Sequence, residues 1–214
     1  MIEAVLWDFG GVLTTSPFEA FNRFEARHGI PTDFIRGINA TNPETNAWAQ
    51  LESSAISLAE FDRAFEAESR AAGHSIPGAA VVELLSGDLR PGMVEVLKQC
   101  KARFKVACLT NNVRSGEGPG MARSPERAAR MQRVMDLFDL VLESSKEGIR
   151  KPNPAFYLLA CERLRIRPAN AVFLDDLGIN LKPAKQLGMT TIKVTSEQQA
   201  IAELSDVLKM DFSV

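Results

Sequence analysis

VFLDDLGINLKPAKQLGM, residues Val172 to Met189, is the stretch on which the reading of the fold turns. Val172, Phe173 and Leu174 make a short, continuous apolar run of the kind that suits a strand covered on both faces. Asp175 and Asp176 stand where that strand has to end. Two adjacent carboxylates at a strand terminus repel each other and lose hydration unless a cation neutralises them. The cation best matched to an oxygen-only cluster is Mg²⁺, which binds through one or two carboxylates plus a substrate phosphate and keeps several waters. A helical pattern follows from Asn180 to Leu187, and Gly188 leads into another apolar run, Thr190 to Val194.

Outward from this stretch the same grammar repeats. Apolar runs at Ala4 to Trp7, Phe104 to Leu109 and Leu137 to Leu142 each end in polar residues, as the run Ala171 to Leu174 does. Helical patterns at Gly92 to Cys100, Pro125 to Met135 and Pro154 to Leu164 lie between them. Strand–helix alternation of this kind predicts an α/β fold, a Rossmann-like doubly wound parallel sheet. Such sheets bind ligands beyond the carboxyl ends of their strands, where Asp8, Thr110, Asn111, Asp175 and Asp176 all fall.

The alternation is interrupted once. Between about residues 18 and 86 there are helical patterns and no buried strand, among them SLAEFDRAFEAESRAAG, which opens with the capping box Ser57/Glu60. The expected organisation is a core of residues 1–17 and 87–214, with a small helical cap, 18–86, inserted after the first strand and lying over the strand ends. Ser196 and Gln199 open the last helix in another capping box. The polar, glycine-rich stretch VRSGEGPGMARSPER reads as a loop.

Three segments carry chemistry. Asp8 is followed by Phe9, Gly10 and Gly11, a loop whose backbone can approach a ligand closely; a carboxylate there is either a nucleophile toward phosphorus or carbon or a turn aspartate capping a helix. Thr110 and Asn111 offer a hydroxyl and an amide to phosphate oxygens, and equally suit an ordinary turn. Lys151, before Pro152 and Pro154, either balances the charge of the carboxylates and a phosphate or is an exposed lysine at a helix start; its bond to Pro152 is a candidate cis peptide. Asn180 reads better as a helix cap than as a partner of the acidic pair. His28 and His74 lie in the helical insertion without acidic neighbours and read as surface or boundary residues, and Trp48, Phe61 and Phe65 read better as buried packing than as the lining of a pocket.

Composition narrows the class. The chain has 214 residues, 45% of them hydrophobic and 24% charged, with a formal net charge of −2; this suits a globular protein and favours neither nucleic acid nor an anionic membrane as partner. Cys100, Cys108 and Cys161 show no metal-ligand spacing and read as core or helix-face thiols in a reducing compartment. MIEAVLWD lacks the basic and long apolar segments of a signal peptide, and no apolar run approaches the roughly 20 residues of a membrane span. A cytoplasmic enzyme is expected.

The order Asp8, Thr110-Asn111, Lys151, Asp175-Asp176 resembles the four motifs of the haloacid dehalogenase superfamily. CLTNN, RKPNPAFY and VFLDDLGINLKPAKQLGM are similar, more narrowly, to the N-terminal phosphatase domain of soluble epoxide hydrolases and to related stand-alone bacterial phosphatases. The resemblance implies Asp8 as the nucleophile that becomes an aspartyl-phosphate, Thr110 and Asn111 as phosphate ligands, and Lys151 as the residue steadying both. It implies a Mg²⁺ site made by Asp8, Asp176, Asp175 and the backbone carbonyl of Gly10, and a small phosphorylated metabolite as substrate. One departure stands out: phosphatases of this group usually carry a second aspartate, the leaving-group acid, at the position of Gly10. Its absence leaves a 2-haloacid dehalogenase and a non-catalytic binder of phosphorylated ligands as alternatives.

Overall fold

The computed structural model describes residues 1–112 and 125–213. Five strands, β1 (Ala4–Trp7), β2 (Lys105–Thr110), β3 (Leu140–Glu143), β4 (Ala171–Asp175) and β5 (Thr190–Lys193), form one sheet in the order β3-β2-β1-β4-β5, every neighbouring pair parallel. The central strand, β1, therefore lies between β2 and β4, with Trp7 level with Cys108 on one side and Leu174 on the other. This order alone brings the residues after Trp7, Leu109 and Leu174 to one edge of the sheet.

Both faces of the sheet are covered, which is why its strands are apolar without alternation. Val5, Trp7, Val106, Cys108, Val172 and Leu174 face a layer made by α6 (Pro91–Lys101), α7 (Pro125–Met135) and α11 (Glu197–Leu208). Their chain neighbours Ala4, Leu6, Ala107, Leu109, Ala171 and Phe173 face α9 (Pro154–Leu164), which follows the four-residue α8 (Ser144–Glu147), and α10 (Gly178–Gln186). Each fully buried Val, Leu or Phe in these layers contributes on the order of 1.5–3 kcal/mol through removal from water. All three cysteines are buried among these side chains. No helix among the described residues is long and apolar enough to cross a membrane.

Five helices lie between β1 and α6: α1 (Pro17–His28), α2 (Phe34–Ala40), α3 (Ala47–Glu52), α4 (Leu58–Ala71) and α5 (Gly78–Glu83). They enclose an apolar cluster of their own, built on Phe21, Ile35, Leu51, Phe61, Phe65 and Val81. In α4 the i,i+4 pair Phe61 and Phe65 supplies the buried stripe, and the Ser57/Glu60 capping box closes the first turn. The buried Glu25 of α1 accepts the N–H groups of Asp33 and Ile35, both at 2.8 Å, and so satisfies donors that the start of α2 leaves open. Two strands of chain connect these helices to the sheet and run side by side: Thr14 bridges Leu89, Thr15 N–H donates to the Asp88 carbonyl, and Arg90 N–H to that of Leu13.

Some boundaries differ from the sequence expectation. Thr110 is the last residue of β2 rather than the first beyond it. β3 starts at Leu140, because Leu137 and Phe138 form the turn after α7 and pack beneath it. α10 begins at Gly178, two residues ahead of its apolar pattern, because the Asp175 carboxylate accepts the Leu177 N–H at 2.8 Å and sets the turn there. Most of the glycine-rich stretch read as a loop, positions 113–124, lies outside the described residues.

Candidate active site

Beyond the carboxyl ends of β1 and β4, three carboxylates and one lysine meet. Asp8 directly follows β1, and its N–H donates to the Leu174 carbonyl at 2.8 Å, so the last rung of the β1–β4 ladder fixes its backbone. Its Oδ1 accepts the Phe9 N–H at 2.7 Å and lies 2.9 Å from Lys151 Nζ. The same Nζ lies 2.7 Å from Asp175 Oδ2. Asp176 follows β4, and its Oδ2 accepts the Ser16 hydroxyl at 3.3 Å. One oxygen of each of Asp8, Asp175 and Asp176 lies within 4.8 Å of those of the other two.

Lys151 and Asp175 are completely buried and Asp8 is 8% exposed, so the electrostatics are those of a poorly hydrated site. Burial is the largest influence on the Asp8 carboxyl; with the charges of Asp175 and Asp176 it pushes the group well above the usual carboxylate range, while Lys151 pulls the other way. Burial of Lys151 favours its neutral form, yet Asp175 and Asp8 more than offset this and hold the ammonium firmly charged. Burial, then Asp175, pushes Asp176 up to about 6, against the pull of Lys151 and Ser16. One lysine thus faces three carboxylates, and the surplus negative charge suits a further cation.

The donor set fits a hard divalent ion: carboxylates only, gathered on two neighbouring strand ends. The loop after Asp8 is shaped around the same spot. Gly11 has φ +74°, and a β-carbon there would lie 2.2 Å from Asp176 Oδ2, so the backbone passes hard against that carboxylate. A β-carbon at Gly10, by contrast, would project into open space.

Around these groups the sequence expectations are met unevenly. Lys151 is not an exposed helix-start lysine; it sits at the centre of the cluster, and its bond to Pro152 is cis. Thr110 lies buried at the end of β2. Asn111 clamps Lys151: its Oδ1 accepts the Lys151 N–H and its Nδ2 donates to the Lys151 carbonyl, both at 2.9 Å, and Nδ2 also lies 3.5 Å from Glu52 Oε2. The amide of Asn111 is thus committed to protein partners. The expectation that Asn180 caps α10 is wrong. Asn180 lies inside the helix, and its Nδ2 donates to both oxygens of Asp175 at 3.1 Å, because the helix starts early enough to turn that side chain back onto the strand end. Tyr157 O–H in turn donates to the Asn180 carbonyl at 2.7 Å.

Ser16 and Glu52 escaped the sequence reading. Ser16 carries a legible signal, as the N-cap before Pro17 of α1, but its contact with Asp176 depends on the path of the chain leaving β1. Glu52 carries none. Of the groups placed elsewhere, His28 is exposed, His74 and Trp48 are half-buried, and Phe61 and Phe65 are core.

Known proteins resemble this chain along most of its length. The family description "haloacid dehalogenase-like hydrolase" matches residues 2–188. Mouse (Mus musculus) acyl-CoA dehydrogenase family member 10 is 32% identical over 96% of the chain, and mouse bifunctional epoxide hydrolase 2 is 29% identical over 99% of it. The chain spans 19% and 40% of the lengths of these two relatives. A stand-alone relative, the validoxylamine A 7'-phosphate phosphatase of Streptomyces hygroscopicus subsp. limoneus, is 26% identical over all of this chain and 95% of its own. Among solved structures, a "predicted HAD-like family hydrolase" from Porphyromonas gingivalis superposes with a TM-score of 0.72 at 23% identity, covering 99% of this chain and 100% of that one, and so shares the fold. With a matched family description that runs from before β1 to beyond α10, and with an Asp cluster at the sheet edge, the chain belongs to the haloacid dehalogenase-like hydrolases.

Proposed function

We propose that this hydrolase is a Mg²⁺-dependent phosphatase of a small phosphorylated metabolite, working through an aspartyl-phosphate on Asp8. The observation that carries the reading is the convergence of Asp8, Asp175 and Asp176 around the buried Lys151. The phosphatase relative that matches this chain over its full length supports the same reaction class. Asp8, Asp175, Asp176 and the Gly10 carbonyl are the groups that would hold Mg²⁺. When bound, the ion supplies charge neutralisation for the carboxylates and for a phosphoryl group beside them.

The chain's own residues divide the remaining work. Phe9 N–H and Lys151 fix one oxygen of Asp8, so the other is available for attack on phosphorus. A bond forms between that oxygen and phosphorus as the bond to the leaving oxygen breaks; water then attacks phosphorus, releasing inorganic phosphate and restoring Asp8. Thr110 and the main chain at Asn111 bind the transferring oxygens. Lys151 opposes the burial that favours the protonated form of Asp8 and balances phosphate charge. Asn180 and the Leu177 N–H keep Asp175 turned toward Lys151. Helices α1–α5, with their separate apolar cluster, act as a cap that selects the substrate.

Gly10 shapes the substrate class. General acid–base assistance is typically worth 10²- to 10⁴-fold, and residue 10 offers none, so phosphates with good leaving groups are favoured: acyl, anomeric or aryl. Aryl phosphate hydrolysis is the first test. Turnover should require Mg²⁺, stop on addition of EDTA and vanish in Asp8→Asn; undiminished activity in Asp8→Asn would remove the proposed nucleophile. The missing carboxyl at residue 10 also fits a second reading, displacement of halide from a 2-haloacid, which needs neither acid nor metal. Halide release from 2-chloropropionate in EDTA, without phosphate release from any phosphoester, is the outcome that selects it.

A further inference from the structure

Glu52 is a buried carboxylate that the proposed chemistry does not use. It ends α3, well away in sequence from the strand-end motifs, and is 7% exposed. Its Oε2 pairs with Arg150 Nη2 at 2.9 Å and lies 3.5 Å from Asn111 Nδ2. Its backbone carbonyl accepts the Ser144 hydroxyl at 2.8 Å, and two residues later Ser54 donates to the Ser145 carbonyl at 3.3 Å. Burial pushes the Glu52 carboxyl up, opposed first by Arg150 and Lys151, then by hydrogen bonds from Trp48 and Asn111. An apolar residue of similar size would fill this place without the cost of burying a charge, so the ionic contact calls for a role beyond filling space.

Both groups that Glu52 grips lead to the same residue. Arg150 immediately precedes Lys151, and Asn111 holds the Lys151 N–H and carbonyl at 2.9 Å each. Lys151 in turn bridges Asp8 and Asp175. The geometry points to Glu52 as a positioning residue for Lys151: one carboxylate from the helical insertion steadies the two residues that fix the Lys151 backbone, and so keeps its ammonium between the nucleophile and Asp175. The placement of α3 over the sheet edge is thereby felt at the nucleophile without any contact between them. The catalytic half of this assignment rests on the phosphatase reading; the structural half does not.

The test uses Glu52→Gln in the full chain, with two readouts. Exchange of the Lys151 amide proton, resolved by NMR, should accelerate at least tenfold while core amides of β4 such as Phe173 keep their protection. In Mg²⁺-supported aryl phosphate hydrolysis, kcat should fall about tenfold with KM changed less than twofold, because the substrate-selecting surface is intact while the lysine beside Asp8 is loosened. The double variant Glu52→Gln/Arg150→Gln removes both charges together, so that no unpaired buried charge threatens folding, and should show the same two effects. Wild-type exchange at Lys151 in both variants overturns the assignment, as does a uniform acceleration that includes β4, which marks a merely structural role. If the wild-type protein itself releases no phosphate, the phosphatase reading fails, and the amide-exchange arm alone decides the role of Glu52.

Discussion

Replacing Lys151 by Met removes the one lysine that contacts two of the clustered carboxylates while keeping most of the side-chain volume. At 2.9 Å from Asp8 and 2.7 Å from Asp175, each contact has a gross Coulomb energy of about 6 kcal/mol at an effective dielectric constant of about 20. Most of that attraction offsets the desolvation of three buried charges, so the gross figure is not the expected loss. Removing one partner of a buried ionic cluster typically costs about 3–5 kcal/mol, because the remaining charges stay behind unpaired. For a chain of this length each kcal/mol shifts the melting temperature by roughly 2–4 °C, so the variant should melt roughly 6 to 20 °C lower in EDTA at neutral pH. The sign of the pH dependence follows from the carboxylates. Without the ammonium, the pull that opposes burial at Asp8 is gone and its carboxyl favours the protonated form in the folded state, so the deficit is largest at about pH 7.5 and shrinks toward about pH 5. Mg²⁺ should also stabilise the variant more than the wild type, since it then faces the carboxylates without a competing cation. Calorimetric melts at both pH values, with and without Mg²⁺, read all three effects. A variant melting within about 2 °C of wild type in EDTA at neutral pH would refute the reasoning, because a typical loss of this kind is several-fold larger.

Gly10→Asp should be tolerated, because its β-carbon meets open space, and should raise turnover of alkyl phosphates by about 10²-fold or more relative to aryl phosphates; equal or reduced rates on both classes, measured by phosphate release, would show that the loop does not aim residue 10 at the leaving group. Gly11→Ala places a β-carbon 2.2 Å from Asp176 Oδ2 at a φ of +74°, so isothermal titration should find Mg²⁺ affinity at least tenfold weaker than in the wild type. Because burial and Asp175 push Asp176 up to about 6, its proton competes with the metal, and Mg²⁺ affinity should rise as pH increases through that value; a flat titration series would contradict it. In the metal-free protein the same raised carboxyl contributes stability at low pH that is lost as pH rises through about 6, which a pH series of melts in EDTA checks.

Much of this architecture was legible in the chain because buried parallel strands advertise themselves. Ala4 to Trp7 and Ala171 to Leu174 are apolar at every position, and a run covered on both faces has little alternative. Once β1 lies between β2 and β4, the gathering of Asp8, Thr110 and Asp175 at one edge follows from strand ends alone. The misread positions share a different cause. Asn180 looked like a cap because apolar periodicity cannot see that Asp175 opens the helix by taking the Leu177 N–H. Leu137 and Phe138 looked like strand because a turn packed under a helix is as apolar as a strand. Glu52 was invisible for a deeper reason: its partners Arg150 and Asn111 are far away in sequence, and only the way α3 lies against the sheet edge brings the three together.

The claim on which the account rests is covalent chemistry at Asp8, and the lack of a carboxyl at residue 10 gives a direct way to observe it. With no side chain there to activate water, hydrolysis of the aspartyl-phosphate should be slow enough for the intermediate to accumulate during turnover. Borohydride added to a reaction running on an aryl phosphate with Mg²⁺ reduces an acyl phosphate to the alcohol, which peptide mass spectrometry locates. The expected result is conversion of Asp8 to homoserine, dependent on both substrate and Mg²⁺. Turnover in a sample whose Asp8 stays unmodified, or whose modification falls on another residue, would contradict the account.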